Sequence, residues 1–271
     1  MSASDIAVMH ISSTGQSMDA IIEVGKNRED LDLEAVRRYM RKANNAGRRA
    51  FQTHDDPWQV LKKLELVRSE EQITRAAILL FGKNPQSPLS QAVIQAGRVR
   101  QKTYIMDSRV MEGSICDQID ETMEFIKKNI HVRFEITGAP QRTDVWDYPL
   151  IAVREAVTNA VCHRDYGDVG HIQVKISEES LQIWNPGPLP FDFSLQELVN
   201  PDHASRPRNK AIAQILFDMG YIERYGGGIQ RMFDQCQAAG LKPPTFEQAQ
   251  GGLKVMFSKR TDELPGQAAN N

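Results

Sequence analysis

Residues 155–166 read EAVTNAVCHRDY, a helical stretch of Ala, Val and Thr that sets a carboxylate, an amide and an imidazole four residues apart. At about 100° per residue, each step of four drifts only about 40°, so Glu155, Asn159 and His163 form one narrow stripe. Val153, Ala156, Val157, Ala160 and Val161 are left to pack elsewhere. Three different polar groups in file on an apolar body read as a ligand surface, and the same pattern also fits an ordinary solvated face.

Around this helix, which runs from about Tyr148 to Arg164, the rest of the chain falls into order. HIQVKI places Ile172, Val174 and Ile176 on one face of a strand, SEES turns the chain, and LQIWN is a second strand. NPGPLP ends that strand, because neither proline continues a ladder. The loop FDFSLQELVNPDHASRPRNK leads to a helix AIAQILFDMG closed by Gly220; a glycine triplet at 226–228 opens a helix IQRMFDQCQAAG, and LKVMF reads as a strand. Upstream, TGAPQRTDVWDYP (137–149) combines glycine, prolines and charge and marks a domain boundary. ICDQIDETMEFIKKNI is an amphipathic helix, and AAILLFG and QAVIQAGRV are apolar runs of strand or buried-helix length. The helix beginning at Leu33 has Asp32 as its N-cap. Residues 1–30 read as a flexible tail or the stub of a larger domain, and 261–271 as a disordered tail. The expected organisation is an accessory α/β domain at 31–143 and a second domain at 144–260.

The chain has 271 residues, 41% of them hydrophobic and 25% charged, which is enough for one large or two ordinary cores. A net charge of -2 and a pI near 6.3 give no global positive field for nucleic acid or an anionic membrane. Three cysteines without CxxC spacing argue against a disulfide framework or a zinc site and fit a reducing cytoplasm. The apolar run AAILLF is far shorter than the ~20 residues that span a bilayer, so neither export nor membrane anchoring is expected.

Two glycine turns accompany the stripe: Asn185-Pro186-Gly187 at a strand end and Gly226-Gly227-Gly228 at a helix start. Phosphate binding requires backbone amides that approach closely and the positive end of a helix dipole, and a glycine triplet before a helix supplies both. Three glycines also serve simple tight turns. A magnesium ion bridging phosphates keeps several waters, so one amide oxygen such as that of Asn159 suffices as a protein ligand. A carboxylate one turn away, Glu155, could orient or deprotonate the water that attacks the last phosphate.

This order of parts resembles the GHKL (Bergerat-type) ATPases, the superfamily of DNA gyrase and the heat-shock chaperone ATPases. More narrowly, REAVTNAVCHRDY, IWNPGPLP, RPRNKAIAQILFDMGYIERYGGGI and AAILLFGKNPQ resemble the transcriptional regulators with a RecG-like C-terminal domain, in which a Schlafen-type AlbA domain usually lies upstream. The resemblance runs from about Leu31 to Phe257. It implies an α/β fold, an α+β two-layer sandwich of the GHKL type preceded by a smaller α/β accessory domain. It also implies a fragment or short relative lacking the upstream domain.

Carried over by position, the resemblance makes Glu155 the water-activating carboxylate and Asn159 the magnesium ligand. ATP and Mg2+ are the implied cofactors. Asn185 stands where the superfamily has an adenine-reading Asp; its amide accepts the same hydrogen bond without the charge. Gly187 belongs to that turn, Gly226, Gly227 and Gly228 match the phosphate-side turn, and Arg206, Arg208 and Lys210 fall where a lid closes. His163, Arg164 and Asp165 match the family's HRD tripeptide, to which no role is given, and His163 is either a nucleotide contact or a helix C-terminal charge. A motor helicase needs GxxxxGK followed by Ser or Thr, whereas Asn84 follows Gly82-Lys83 and Asn27 follows Gly25-Lys26. The expected function is therefore an ATP-binding module, or slow ATPase, of a transcriptional regulator, with homodimerisation among its partners. The alternative is a non-catalytic regulator with a degenerate nucleotide site. Arg37, Arg38, Arg41, Lys42, Arg48 and Arg49 make the nucleic-acid candidate, since phosphate neutralisation needs clustered basic residues; such runs are also often solvated faces.

Overall fold

The protein is described by a computed structural model over residues 17–101, 104–135, 143–190, 193–200, 206–223 and 227–259. The expected tail at 261–271 and the first sixteen residues lie outside the described residues. Helix α1 (Leu33–Asn45) starts where Asp32 accepts a hydrogen bond from the Glu34 N–H, and it buries Val36, Tyr39, Met40 and Ala43 along one stripe. After α2 (Pro57–Lys63) and a small hairpin, β1 (Val67–Ser69) and β2 (Gln72–Ile73), the AAILLF run is a helix, α3 (Arg75–Phe81). The Thr74 hydroxyl caps it by accepting from Ala77, and six consecutive buried side chains erase the amphipathic period that would have identified it.

The other ambiguous run forms strand β3 (Ile94–Arg100), which is followed by β4 (Tyr104–Met111), α4 (Ile115–Asn129) and the hairpin β5 (Val132–Glu135) and β6 (Thr143–Trp146). Then come α5 (Leu150–His163), β7 (Ile172–Ile176), β8 (Ser180–Pro186), α6 (Leu195–Leu198), α7 (Lys210–Asp218), α8 (Gly228–Ala238), β9 (Thr245–Ala249) and β10 (Gly252–Ser258). One sheet runs in the order β4-β3-β7-β8-β10-β9, with β3 and β7 parallel and its other pairs antiparallel. On β7, Ile172, Val174 and Ile176 are buried while Gln173 and Lys175 are exposed, so helices cover one face only. α4 packs on β3 and β4, and α5 on β8, which makes a two-layer α+β sandwich.

Two features differ from the sequence reading. β3 and β4 come from the half expected to be a separate accessory domain, yet they extend the sheet of the second half, and the core is continuous from Val36 through Val157 to Phe257. The 143/144 boundary therefore falls inside one core; the loop composition that suggested it reports a surface connection, not strand pairing. The expected N-terminal tail is also packed from residue 17 onward. Short 3-10 turns occupy Met18–Ala20 and Arg28–Asp30, Glu23 N–H bonds to the Ile73 carbonyl, and the fully buried carboxylate of Asp19 accepts from the Ile212 N–H of α7 at 2.9 Å. Among the described residues no helix is long and apolar enough to cross a membrane.

Candidate functional site

Helix α5 is buried on nearly every side: Ala152, Val153, Ala156, Val157, Ala160, Val161 and Cys162 are all core residues. Its polar stripe therefore meets bulk water only toward its C-terminal end. It runs from Glu155, only 5% exposed, through half-buried Asn159 to exposed His163, and all three line a cavity of about 270 Å³. Asn185, Gly187, Arg206, Arg208 and Gly228 line the same cavity, closed by apolar residues such as Ile183, Phe193, Met232 and Val255. Gly227 is the N-cap of α8, outside this wall, and Gly226 lies outside the described residues.

Each glycine that lines the cavity makes room for a named neighbour. A Cβ on Gly228 would stand 2.1 Å from Glu155 Oε1 and 3.2 Å from Asn159 Nδ2, so the start of α8 lies directly on the stripe. Gly187 has φ +107°, and a Cβ there would stand 2.1 Å from Arg208 Nη1. Arg208 donates to the Pro188 carbonyl and pairs with Asp165 at 3.3 Å, which fastens the expected lid segment to the end of β8.

The three residues of the HRD tripeptide do different work. His163 faces the cavity. Arg164, 1% exposed, donates to the Val93 and Gly170 carbonyls and lies over the Tyr166 ring at 5.2 Å, so its guanidinium staples the chain internally. Asp165 bonds by its N–H to the Pro186 carbonyl and by its carboxylate to Arg208, linking the helix end to the first glycine turn. Asn209, fully buried, donates its side-chain amide to the carbonyls of Cys162 at 2.9 Å and Arg164 at 2.8 Å and so fixes the base of α7 against the end of α5.

Burial pushes the Glu155 carboxyl above the usual glutamate range. Arg231, with Nη1 at 3.3 Å, and a hydrogen bond from Asn159 oppose that rise, and Glu223 adds to it. Neither Arg231 nor Glu223 was legible as a site residue: Arg231 looks like one more charge on an amphipathic helix, and Glu223 lies in a loop. Burial likewise raises the thiol of Cys162, so it is an inert core residue.

The donor set suits a nucleotide. Asn185 Oδ1 is buried without a hydrogen-bond partner on the cavity wall, an acceptor waiting for a donor. Asn159 commits its Nδ2 to Glu155, so its Oδ1 is the atom left for a cation. Among the described residues no group of three His, Cys, Asp or Glu side chains forms a metal cage, so a cation here would depend on Asn159, waters and phosphate oxygens.

Five of the six basic residues of α1 and its continuation pair within the chain, and Arg41 is exposed outside these pairs. Arg37 pairs with Glu34, Arg38 with Asp32, Lys42 with Asp120, Arg48 with Glu223 and Arg49 with Asp218.

With two glycine turns, a buried carboxylate and an orphaned acceptor around one cavity, sequence comparison can be set beside geometry. Residues 170–257 match the family described as "Putative ATP-dependent DNA helicase recG C-terminal". The match to this RecG-like C-terminal domain, an ATPase-type domain that points to nucleotide binding, covers β7 to β10 and includes Asn185, Gly187, Arg208 and the glycine triplet. Glu155, Asn159 and His163 lie upstream of it. Residues 7–88 match a domain of unknown function. The DIP2311 protein from Corynebacterium diphtheriae, a solved structure, shares the fold with a TM-score of 0.72 at 22% identity. The alignment covers 92% of this chain and 49% of that one, so this chain spans about half the length of its structural relative. No curated protein matches the sequence.

Proposed function

We propose that this chain is a nucleotide-binding module that takes ATP with magnesium and hydrolyses it slowly, in the service of a cytoplasmic transcriptional regulator. The observation that carries the reading is the meeting of Gly228 with Glu155 and Asn159, where the absence of a Cβ lets a helix N-terminus and a carboxylate–amide pair share one cavity. The amides at the start of α8 would take the phosphates, Asn159 Oδ1 the magnesium ion, and Asn185 the base. When bound, the magnesium ion would offset charge on the phosphate oxygens. In hydrolysis a water oxygen bonds to the terminal phosphorus, its proton passes to Glu155, and the bond to the bridging oxygen breaks to leave the diphosphate. The raised proton affinity of Glu155 suits it to that role.

Calorimetric titration of the folded chain with magnesium and a non-hydrolysable ATP analogue, beside Asn159→Ala, tests the reading. Saturable binding that weakens in the variant supports it, and a folded chain that takes up no nucleotide overturns it. The second reading, a regulator with a degenerate site, rests on the uncharged Asn185 in the base-reading position and on the ion pair that already engages Glu155. It predicts no turnover above that of Glu155→Gln. Contact with DNA through Arg37 to Arg49 is a weaker proposal, because of these side chains all but Arg41 would have to leave their intramolecular partners. A second copy of the chain is an equally open proposal, tested by the mass in solution.

A further inference from the structure

A second cavity, of about 200 Å³, shares no lining residue with the first. It lies where the parallel strands β3 and β7 reach their C-terminal ends. Arg98 and Arg100 come from β3, Glu178 from the turn after β7, Asp147 and Tyr148 from the segment leading into α5, and Lys259 from the end of β10. Most of this charge is settled within the chain. Asp147, 4% exposed, accepts from the His131 N–H at 3.0 Å and pairs with Lys259 at 3.3 Å, and Arg100 pairs with Glu178 at 3.3 Å. Arg98 is the exception: it is half-buried, and among the described residues its guanidinium has neither a hydrogen bond nor an ion pair. The acid opposite it on β4, Asp107, is already engaged by Lys128 and Asn129. Tyr148 has the same shortage, since it is 1% exposed and its hydroxyl is buried without a hydrogen-bond partner. Two polar groups with nothing to donate to therefore border one cavity.

We propose that this cavity is a second ligand site, which takes a small oxyanion, a phosphate or carboxylate group, between the Arg98 guanidinium and the Tyr148 hydroxyl. The ligand chemistry follows from the partners these groups lack. A guanidinium offers N–H groups in a fixed fork that matches the oxygens of a carboxylate or phosphate, and the phenol adds one more donor. Burial raises the phenol's proton affinity, which keeps it a donor. A cation would be repelled by Arg98, and an apolar guest would leave both groups unpaired. Besides His131, the lining carries three cations, Arg98, Arg100 and Lys259, against two acids, Asp147 and Glu178, so the surplus charge also favours an anion. The site is independent of the nucleotide reading and would stand if that reading failed. Its occupant sits at the foot of α5, the helix whose later turns carry Glu155 and Asn159.

The test titrates the nucleotide-free full chain with inorganic phosphate and, in parallel, with succinate, at constant ionic strength, followed by amide NMR. Saturable shifts are expected at residues 98–100, 147–148 and 176–178, and the anion that saturates at the lower concentration tells phosphate from carboxylate. Arg98→Ala is expected to weaken binding roughly tenfold or more, as befits the loss of charge-assisted hydrogen bonds. Tyr148→Phe is expected to weaken it several-fold while leaving the thermal midpoint of the free chain level or raised, because the hydroxyl it removes has no partner there. A hydroxyl with a purely structural role would instead lower the midpoint and leave anion affinity in place. Should Arg98→Ala fold poorly, Arg98→Gln and Tyr148→Phe decide. The proposal is overturned if neither anion gives saturable shifts at these residues, if the shifts are confined to the first cavity around Gly228, or if the variants bind as the wild type does.

Discussion

Glu155 carries opposing demands. Its raised proton affinity means that the ionised form is disfavoured in the folded chain relative to the unfolded one. The folded state thus holds more protons as pH rises from the ordinary glutamate value of 4.5 to the higher folded value, and stability falls through that window. Glu155→Gln removes the cost, so the thermal midpoint at neutral pH is expected to stay level or rise, and under the proposed function ATP turnover drops roughly 10²–10⁴-fold, the contribution of a general base. A thermal melt and a phosphate-release assay on the same sample check both halves. Gly228→Ala has the reverse profile. Its Cβ would stand 2.1 Å from Glu155 Oε1, so the Glu155 carboxylate must swing aside or the start of α8 must shift, with a loss of about 1–3 kcal/mol and of the proposed nucleotide binding, read by denaturation and calorimetry. The 155–159–163 spacing was legible because helical periodicity is local. Arg231 was not, because nothing in its own neighbourhood says that Glu155 lies across from it.

Among the elements, α5 and α7 are joined by Asn209, whose amide serves two carbonyls at the end of α5. Asn209→Ala leaves both carbonyls buried without these donors, and about 1–3 kcal/mol of stability is expected to go, measured by chemical denaturation. Because the same carbonyls flank His163, hydrogen exchange at 163–166 is expected to rise in that variant. The hairpin of β7 and β8 was plain in the sequence, since alternation and a turn suffice to write it. The edge strands β4 and β9 were not: β4 exposes Tyr104, Ile105 and Met106, β9 is mostly exposed, and neither shows the one-sided pattern that burial imposes. The run at 76–81 shows the opposite failure, since burial on all sides removes the periodicity that separates helix from strand.

For the whole molecule, the parallel pairing of β3 with β7 joins the two halves in one sheet, and they are expected to unfold together. A chain cut to residues 144–260 would lose β3 and β4 and bare the edge of β7, so it is expected to lack a sharp thermal transition by circular dichroism, whereas the full chain shows one. Asp19→Ala probes the same unity from the N-terminus. Removing the carboxylate that takes the Ile212 N–H is expected to lower the thermal midpoint and loosen α7, although the change lies far from α7 in sequence. The sequence by itself determined the α/β class, the helix bearing the Glu155 stripe, the hairpin and the two glycine turns, because each is set by residues within a few turns or one strand of each other. Only the tertiary structure decided that the first half completes the sheet, that residues 17–30 are part of the body, and that Arg231 and Glu223 stand behind the carboxylate. Pairing between distant segments is fixed by the burial they achieve together, and no local pattern records it.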